Sequence, residues 1–294
     1  MIASSHNRLR RAMLFALMGA LGVLFAAPLL FMFASSFKSD EAIFANLTSV
    51  TAYLPNAGWS LTNYRAIFER SNLPLFLLNS TIIAIVVVAG GVLLNSMLAF
   101  ALCRLRWRGR DTVLALVVAM MIIPFEVIAI PLLSLVARLP WPVLGQGGLA
   151  WQMGWFNSLH VQIVPFLANA FCVFLFYQFF RDIPRELDEA AKMDGAGPWA
   201  LYFRIIMPNS GPVIATAAIV LFIGAWNQYL WPIMVVQGEA ARPVQPGIQQ
   251  FFGRSNSWGQ IMAYASVVTL PVLAVFLAFQ RQFVASVAGS GIKG

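Results

Sequence analysis

Charged residues, histidine and cysteine are all scarce in this sequence of 294 residues. Only 10% of the residues are charged, and there are 2 histidines and 2 cysteines. With so few of them, no Ser–His–Asp or Cys–His catalytic arrangement can be built, and Cys103 and Cys172 lack the spacing of a metal site. The spacing GxxxxGK[ST] of a phosphate-binding loop is absent as well, including from the glycine-rich C-terminal end. We therefore expect no catalytic site, no cofactor, no metal and no ATP hydrolysis in this chain.

Apolar residues, in contrast, make up 60% of the sequence, and the mean hydropathy is +0.77. A soluble domain of this length could not bury so much apolar surface, so the composition predicts an integral membrane protein. About 20 mostly apolar residues are needed for a helix that crosses the bilayer. Six stretches are long enough, at about residues 12–35, 76–102, 112–136, 159–180, 210–236 and 260–283. The predicted fold is therefore all-α and polytopic, with six transmembrane helices.

The distribution of basic residues predicts the orientation of these helices. Thirteen of the 19 Lys and Arg residues fall before the first span, between the second and third, between the fourth and fifth, or after the sixth. Because cytoplasmic loops are enriched in basic residues, both termini are predicted to be cytoplasmic. The net charge of +8 is then a signal of topology and gives no reason to expect nucleic-acid binding.

The spans divide the chain into four predicted segments. Residues 1–37 are interpreted as a tail and an uncleaved first helix, because the apolar run is longer than that of a signal peptide. Residues 38–74 form an outward-facing loop with a short helix near Leu61–Glu69. Residues 75–283 contain the other five helices, and residues 284–294 form a cytoplasmic tail. Two outward loops are also predicted: an aromatic interfacial turn at 137–157 and a polar docking surface at 237–259.

A charged insert, residues 181–209, separates the fourth and fifth spans and holds five of the 11 acidic residues. Asp182 and the proline two residues later predict a helix start, and no helix breaker follows until after Met193. Gly195 is expected to end this helix in the left-handed conformation, and Pro198 to begin a second short helix that extends to Ile206. The insert should therefore be a helix–turn–helix. An alternative interpretation of the insert is an amphipathic hairpin that rests on lipid headgroups.

Two further features of the insert concern its side chains. Arg185 with Glu189, and Asp188 with Lys192, have the i,i+4 spacing at which opposite charges attract. Ala190 and the alanine after it form a ridge of small residues, which would let another protein approach closely.

The spacing of the insert matches a known signature. Glu189-Ala190-Ala191, three residues, Gly195, nine residues, Ile205, one residue and then Met207-Pro208 resembles the EAA loop of ABC-importer permeases, EAA–x3–G–x9–I–x–L–P. Met207 replaces the leucine of that pattern. The stretch from Phe174 to Pro232 is similar to the carbohydrate-uptake branch of the family, which contains MalG and UgpE. Most of residues 70–294 is covered by the resemblance.

The resemblance implies a type I ABC-importer fold and a role for the insert in coupling to ATP hydrolysis. The residues that would carry that role are Glu189, Ala190, Ala191, Asp194, Gly195, Ile205 and Pro208. The implied partners are a cytoplasmic ABC ATPase dimer, which binds ATP and Mg²⁺, a second homologous permease, an extracytoplasmic solute-binding protein and the lipid bilayer. The implied mechanism is alternating access, with a sugar, polyol or glycerol-3-phosphate as substrate.

Residues of the translocation path are less clearly marked. Glu126 is the acidic residue within the predicted spans, and an ionisable group at that depth often faces a water-lined path. Trp226, Asn227, Gln228 and Tyr229 combine aromatic faces with amide groups, as sugar sites do. The alternatives are a structural carboxyl group for Glu126 and an aromatic interface belt for the cluster.

A passive channel or secondary transporter for a small polar solute is the alternative function. It would predict more ionisable residues within the spans and internal repeats, and neither is seen in the sequence.

Overall fold

The structure is a computed structural model that describes residues 2–290 except 46, 48, 55–57, 146–147 and 253–256. In chain order its main elements are α1 (Ile2–Ser35), α2 (Asp40–Ala45), α3 (Thr62–Arg70), α4 (Leu73–Arg104), α5 (Arg110–Met120), α6 (Phe125–Val136), β1 (Pro140–Gly145), β2 (Gly148–Met153), α7 (His160–Ile163), α8 (Ala170–Asp182), α9 (Glu186–Met193), α10 (Pro198–Leu201), α11 (Gly211–Trp226), α12 (Leu230–Val235), α13 (Val244–Gly247) and α14 (Trp258–Ser290).

Five helical segments of the described residues are long and apolar enough to cross a membrane. The number rises to 6 if a pair of helices separated by a sharp bend is counted as one further span. This agrees with the predicted number. The five segments are Arg10–Ser35, Leu73–Arg104, His160–Asp182, Pro208–Trp226 and Trp258–Phe279. The fold is all-α in its membrane-spanning part, as the composition and the apolar runs predicted.

The third predicted span, residues 112–136, is divided between α5 and α6, whose axes differ by 108°. Pro124 precedes α6 in an extended conformation, with φ −67° and ψ 145°. Because proline has no amide hydrogen and disfavours a helical residue before it, the helix ends before this position. Pro131 lies inside α6 without ending it.

The described chain forms two compact units. The first contains the residues up to Leu73 together with Ile248–Leu270. Within it, α3 occupies the position predicted for a short helix. Lys38 is buried, and its Nζ donates hydrogen bonds to the backbone oxygens of Thr51 at 3.0 Å and Ala52 at 2.7 Å. Burial lowers the pKa of Lys38 below its ordinary value.

The second unit contains Pro74–Gly247 and the residues from Pro271 onward. Small residues let its helices approach closely. A Cβ added at Gly91 would lie 2.9 Å from Cδ1 of Leu221, on α11. Asn95 is buried on the same helix, where its Nδ2 donates to the backbone oxygen of Leu167 and its Oδ1 accepts from the backbone amide of Asn169. These contacts fix α4 against α8 and α11.

The predicted interfacial turn at 137–157 is instead an antiparallel hairpin of β1 and β2. Trp141 of β1 stacks on His160 with ring centroids 3.8 Å apart, which holds one face of the hairpin against the start of α7. Trp151 of β2 is exposed. The hairpin was missed because its prolines and glycines indicate turns and because it contains little period-2 alternation of polar and apolar residues.

The ends of two predicted segments also differ from the structure. The last helix continues to Ser290, past the predicted limit of 283, and residues 291–294 of the predicted tail lie outside the described residues. Residues 253–256 of the predicted docking loop, including Arg254, lie outside them too.

Candidate functional site

The charged insert forms a hairpin of α9 and α10, which we call the 186–208 hairpin. Its first helix ends as predicted: Gly195 has φ +78°. The amide of Gly195 donates to the oxygen of Lys192 at 3.0 Å, and the amide of Ala196 donates to the oxygen of Ala191 at 2.9 Å. This pair of bonds is the Schellman motif, which satisfies carbonyl groups at the helix end. The short second helix also begins at Pro198 as predicted.

The predicted start of the first helix was wrong. Asp182 is the last residue of α8 and not a cap of the next helix. The residue before α9 is Arg185, whose side chain makes no capping hydrogen bond. The preceding helix continued because Arg181 and Asp182 contain no breaker, so the turn begins only at Ile183 and Pro184.

The inner side of α9 is fixed by a buried ion pair. Asp188 Oδ2 lies 3.3 Å from Arg104 Nε, and their side chains are 10% and 2% exposed. Arg104 Nη2 also donates to the backbone oxygen of Ile183 at 2.7 Å. The predicted Asp188–Lys192 pair is therefore wrong, because the aspartate faces the end of α4 and not its own helix surface. The predicted Arg185–Glu189 pair is not among the ion pairs of the described residues either.

The second half of the hairpin is fixed by Tyr202. It begins a π-helical turn, Tyr202–Ile206, and its hydroxyl lies 2.7 Å from Oγ of Ser96 in α4. Burial raises the pKa of Tyr202 against the opposite influence of that hydrogen bond. Ile205 is half-buried in the turn, and Pro208 begins the 3₁₀ turn that leads into α11. The hairpin is thus tied at both halves to one membrane helix.

The outer side of the hairpin is exposed and mixed in character. Glu189 and Ala190 are exposed, whereas Ala191 is 5% exposed and packs inward, so the predicted alanine ridge presents only its first residue. Asp194 is exposed as the residue after the helix. Four large apolar side chains of the same hairpin are exposed to between 42% and 89%: Leu187, Met193, Trp199 and Phe203. Exposed apolar side chains on a segment that also carries exposed carboxylates suit contact with another protein.

The candidate path residues lie where α6 and α12 begin. Glu126 is exposed in the first turn of α6, where the positive end of the helix dipole stabilises a carboxylate. Its neighbour Phe125 meets Trp231, at the start of α12, edge to face at 6.0 Å. Trp226 is the last residue of α11, and the other three residues of the predicted cluster form the break between α11 and α12. The contact between Phe125 and Trp231 therefore brings the start of α6 near this cluster.

The members of that cluster differ in exposure. Trp226 is 3% exposed, while Asn227 and Tyr229 are exposed and Gln228 is half-buried. Asn227 Oδ1 accepts from Nε2 of Gln245 at 3.1 Å. Asn227 and Tyr229 thus present exposed side chains at this break, whereas the indole of Trp226 is buried.

Sequence reasoning missed the residues that hold the hairpin in place. Neither Arg104 nor Ser96 was predicted to contact the insert. Their partners are 84 and 106 positions away in the chain.

Comparison with known proteins gives a family for this arrangement. The model of the binding-protein-dependent transport system inner membrane component matches residues 91–289. The chain is 29% identical to the arabinooligosaccharides transport system permease protein AraQ of Halalkalibacterium halodurans over 91% of both chains. It is 30% identical to the trehalose transport system permease protein SugB of Mycobacterium tuberculosis over 97% of this chain and 99% of that one.

Solved structures agree on the fold. A chain of a bacterial ABC transporter involved in the import of the acidic polysaccharide alginate matches with a TM-score of 0.75 and 19% identity, covering 94% of this chain and 96% of that one. A second structure, of the alginate transporter in complex with an alginate pentasaccharide-bound periplasmic protein, matches with a TM-score of 0.62 and 16% identity. The predicted type I ABC-importer permease fold is confirmed. The chain belongs to the family of binding-protein-dependent transport system inner membrane components, and it is a multi-pass protein of the inner membrane.

Proposed function

We propose that this chain is a permease subunit of an ATP-driven importer for a sugar or related polyol, and that the 186–208 hairpin couples it to a cytoplasmic ABC ATPase. In this proposal ATP-driven closure of the ATPase dimer moves the hairpin, and alternating access of the helices follows. A second homologous permease and an extracytoplasmic solute-binding protein complete the assembly.

The observation that carries the proposal is the two-sided character of the hairpin. Its inner side is tied to α4 by the Arg104–Asp188 pair and by Tyr202 with Ser96. Its outer side exposes Glu189 among large apolar side chains. A segment that transmits a movement between two proteins must be firmly attached to one of them and must contact the other through an exposed surface.

Sugars are the substrate class that relatives support. The two relatives above are named for arabinooligosaccharides and trehalose, and another, 32% identical over 74% of this chain, is named for sn-glycerol-3-phosphate. The exposed Asn227 and Tyr229 offer an amide and an aromatic ring to a hydroxylated solute. Glu126, at the start of α6, would face the same path.

A pull-down in mild detergent from the native membrane tests the proposal. Wild type should bring down an ATPase and a second permease. The Gly195→Asp variant should insert but lose the ATPase, because a left-handed position costs a residue with a Cβ about 1–2 kcal/mol and misplaces the hairpin. Gly195→Asn, which tolerates the left-handed conformation better, is the control. Recovery of the chain alone, or only with copies of itself, would favour the channel or secondary-transporter alternative.

A further inference from the structure

A cavity of about 420 Å³ lies between the 186–208 hairpin and the segment that follows α4. This size is within the range of roughly 300–1,000 Å³ of small-molecule sites. The buried pair of Arg104 and Asp188 is part of its lining. These two side chains neutralise each other, so the electrostatic field in the cavity is set by the other charged residues around it.

Those other charges are mainly positive. Arg106, Arg185 and Lys192 line the cavity, against the single further carboxylate of Glu189. None of the three cations has an ion pair or a side-chain hydrogen bond among the described residues. Like charges gathered around one cavity repel each other, and a bound anion removes that cost. Arginine and lysine together are the residues that proteins use to hold phosphate groups.

The position of the cavity indicates where such a phosphate group comes from. The membrane-spanning segment of α4 ends at Arg104, which itself lines the cavity, so the cavity lies at one surface of the membrane. Trp107 follows that helix and is 41% exposed, as expected for an aromatic side chain at headgroup level. The charged lining does not suit an acyl chain, but it suits a headgroup.

We propose that this cavity binds a phosphate ester, and that the ester is the headgroup of an anionic phospholipid such as phosphatidylglycerol. The headgroup phosphate lies between Arg106 on one side and Arg185 and Lys192 on the other. It thereby links the 105–107 segment to α9, and the anionic lipid content of the membrane affects how firmly the hairpin is held. A soluble phosphate ester offers the same chemistry and is the other source. This site shares Glu189 with the exposed outer side of the hairpin, but its test measures lipid binding and needs no transport.

Lipid binding can be measured on the purified full chain. Native mass spectrometry of the delipidated protein, titrated with phosphatidylglycerol or phosphatidylcholine, gives the affinity for each lipid. We expect wild type to prefer phosphatidylglycerol and Arg185→Gln/Lys192→Gln to bind it roughly 25-fold more weakly, at about fivefold per charge removed. Arg108→Gln/Arg204→Gln removes two exposed cations that do not line the cavity and should keep the preference. Arg185→Lys retains the positive charge and should keep most of the affinity. That result would show that the fold tolerates a substitution at this position.

A second measurement separates the two sources of phosphate. Hydrogen exchange of α9 is followed in phosphatidylcholine nanodiscs, with added phosphatidylglycerol or with added sn-glycerol 3-phosphate. Slower exchange with the lipid alone supports the headgroup. Slower exchange with the soluble ester, lost in Arg185→Gln/Lys192→Gln, supports the phosphate site but assigns it a soluble ligand. Equal loss of lipid in both double variants, or no response to either ligand, would overturn the proposal.

Discussion

The ion pair between Arg104 and Asp188 gives the sharpest prediction about how the hairpin is held. With 3.3 Å between Nε and Oδ2, Coulomb's law at an effective dielectric constant of about 20 gives an attraction of about 5 kcal/mol. Both side chains are at most 10% exposed, so removing one partner leaves the other charge buried. We therefore expect Asp188→Asn to destabilise the attachment of α9 by about 3–5 kcal/mol.

Hydrogen exchange of the α9 amides measures this loss directly. A destabilisation of 3–5 kcal/mol accelerates exchange by about 150-fold to several thousand-fold, up to the rate of an unprotected chain. The double variant Arg104→Met/Asp188→Leu removes both charges and should recover most of the protection, because replacing a buried pair by apolar residues is often nearly neutral. The lost hydrogen bond to Ile183 limits that recovery by about 1 kcal/mol.

The matched control is the Arg110–Asp111 pair, at 3.1 Å but with side chains 35% and 86% exposed. Asp111→Asn should change stability by less than about 1 kcal/mol, since water screens this pair. Equal effects of Asp188→Asn and Asp111→Asn, or additive effects of the Arg104 and Asp188 substitutions in the double variant, would refute the reasoning.

Three further predictions concern other contacts, and thermal unfolding of the purified protein checks each of them. Ser96→Ala should cost about 1–3 kcal/mol because it leaves the buried Tyr202 hydroxyl without this partner. Tyr202→Phe should cost less because the one hydroxyl hydrogen of Ser96 still has the backbone oxygens of Val92 and Leu93 as acceptors. A larger cost for Tyr202→Phe than for Ser96→Ala would contradict this geometry. Gly91→Ala should cost about 1–3 kcal/mol through its contact with Leu221, whereas Gly22→Ala, with nothing within 4 Å, should not destabilise. Burial lowers the pKa of Lys38 in the folded protein below its ordinary value of 10.5. Below the folded-state pKa the full cost of burying the charge remains, whereas between that pKa and 10.5 the unfolded chain binds more protons than the folded protein. The free energy of unfolding should therefore rise with pH towards 10.5, and Lys38→Met should abolish that rise. Parallel pH curves for the two proteins would contradict the role of Lys38.

The elements that were predicted correctly depend on local chemistry. The number of spans follows from apolar run length, and the stop at Gly195 follows from the conformation that glycine alone adopts easily. Such features need no knowledge of what packs against them.

The features that were missed depend on contacts between distant parts of the chain. Asp188 can pair equally well with Lys192 on its own helix or with Arg104, and the choice depends on where α4 ends in space. Ala190 and Ala191 look alike in sequence, but the fold exposes one and buries the other. Trp226 is buried whereas Asn227 beside it is exposed, and the spacing of these residues in the sequence did not reveal that difference.

The central claim is that the outer side of the hairpin contacts an ATPase, and site-directed cross-linking tests it most directly. Cys103 and Cys172 are both buried, so Ala190→Cys adds an exposed thiol at the centre of the proposed contact surface. Trp151→Cys, on the exposed strand β2, is the control. In native membranes treated with a short thiol cross-linker, Ala190→Cys should join the chain to an ATP-binding subunit, and Trp151→Cys should not. Absence of that product with Ala190→Cys, while the protein is inserted and the thiol reacts with a small reagent, would contradict the coupling role of the hairpin.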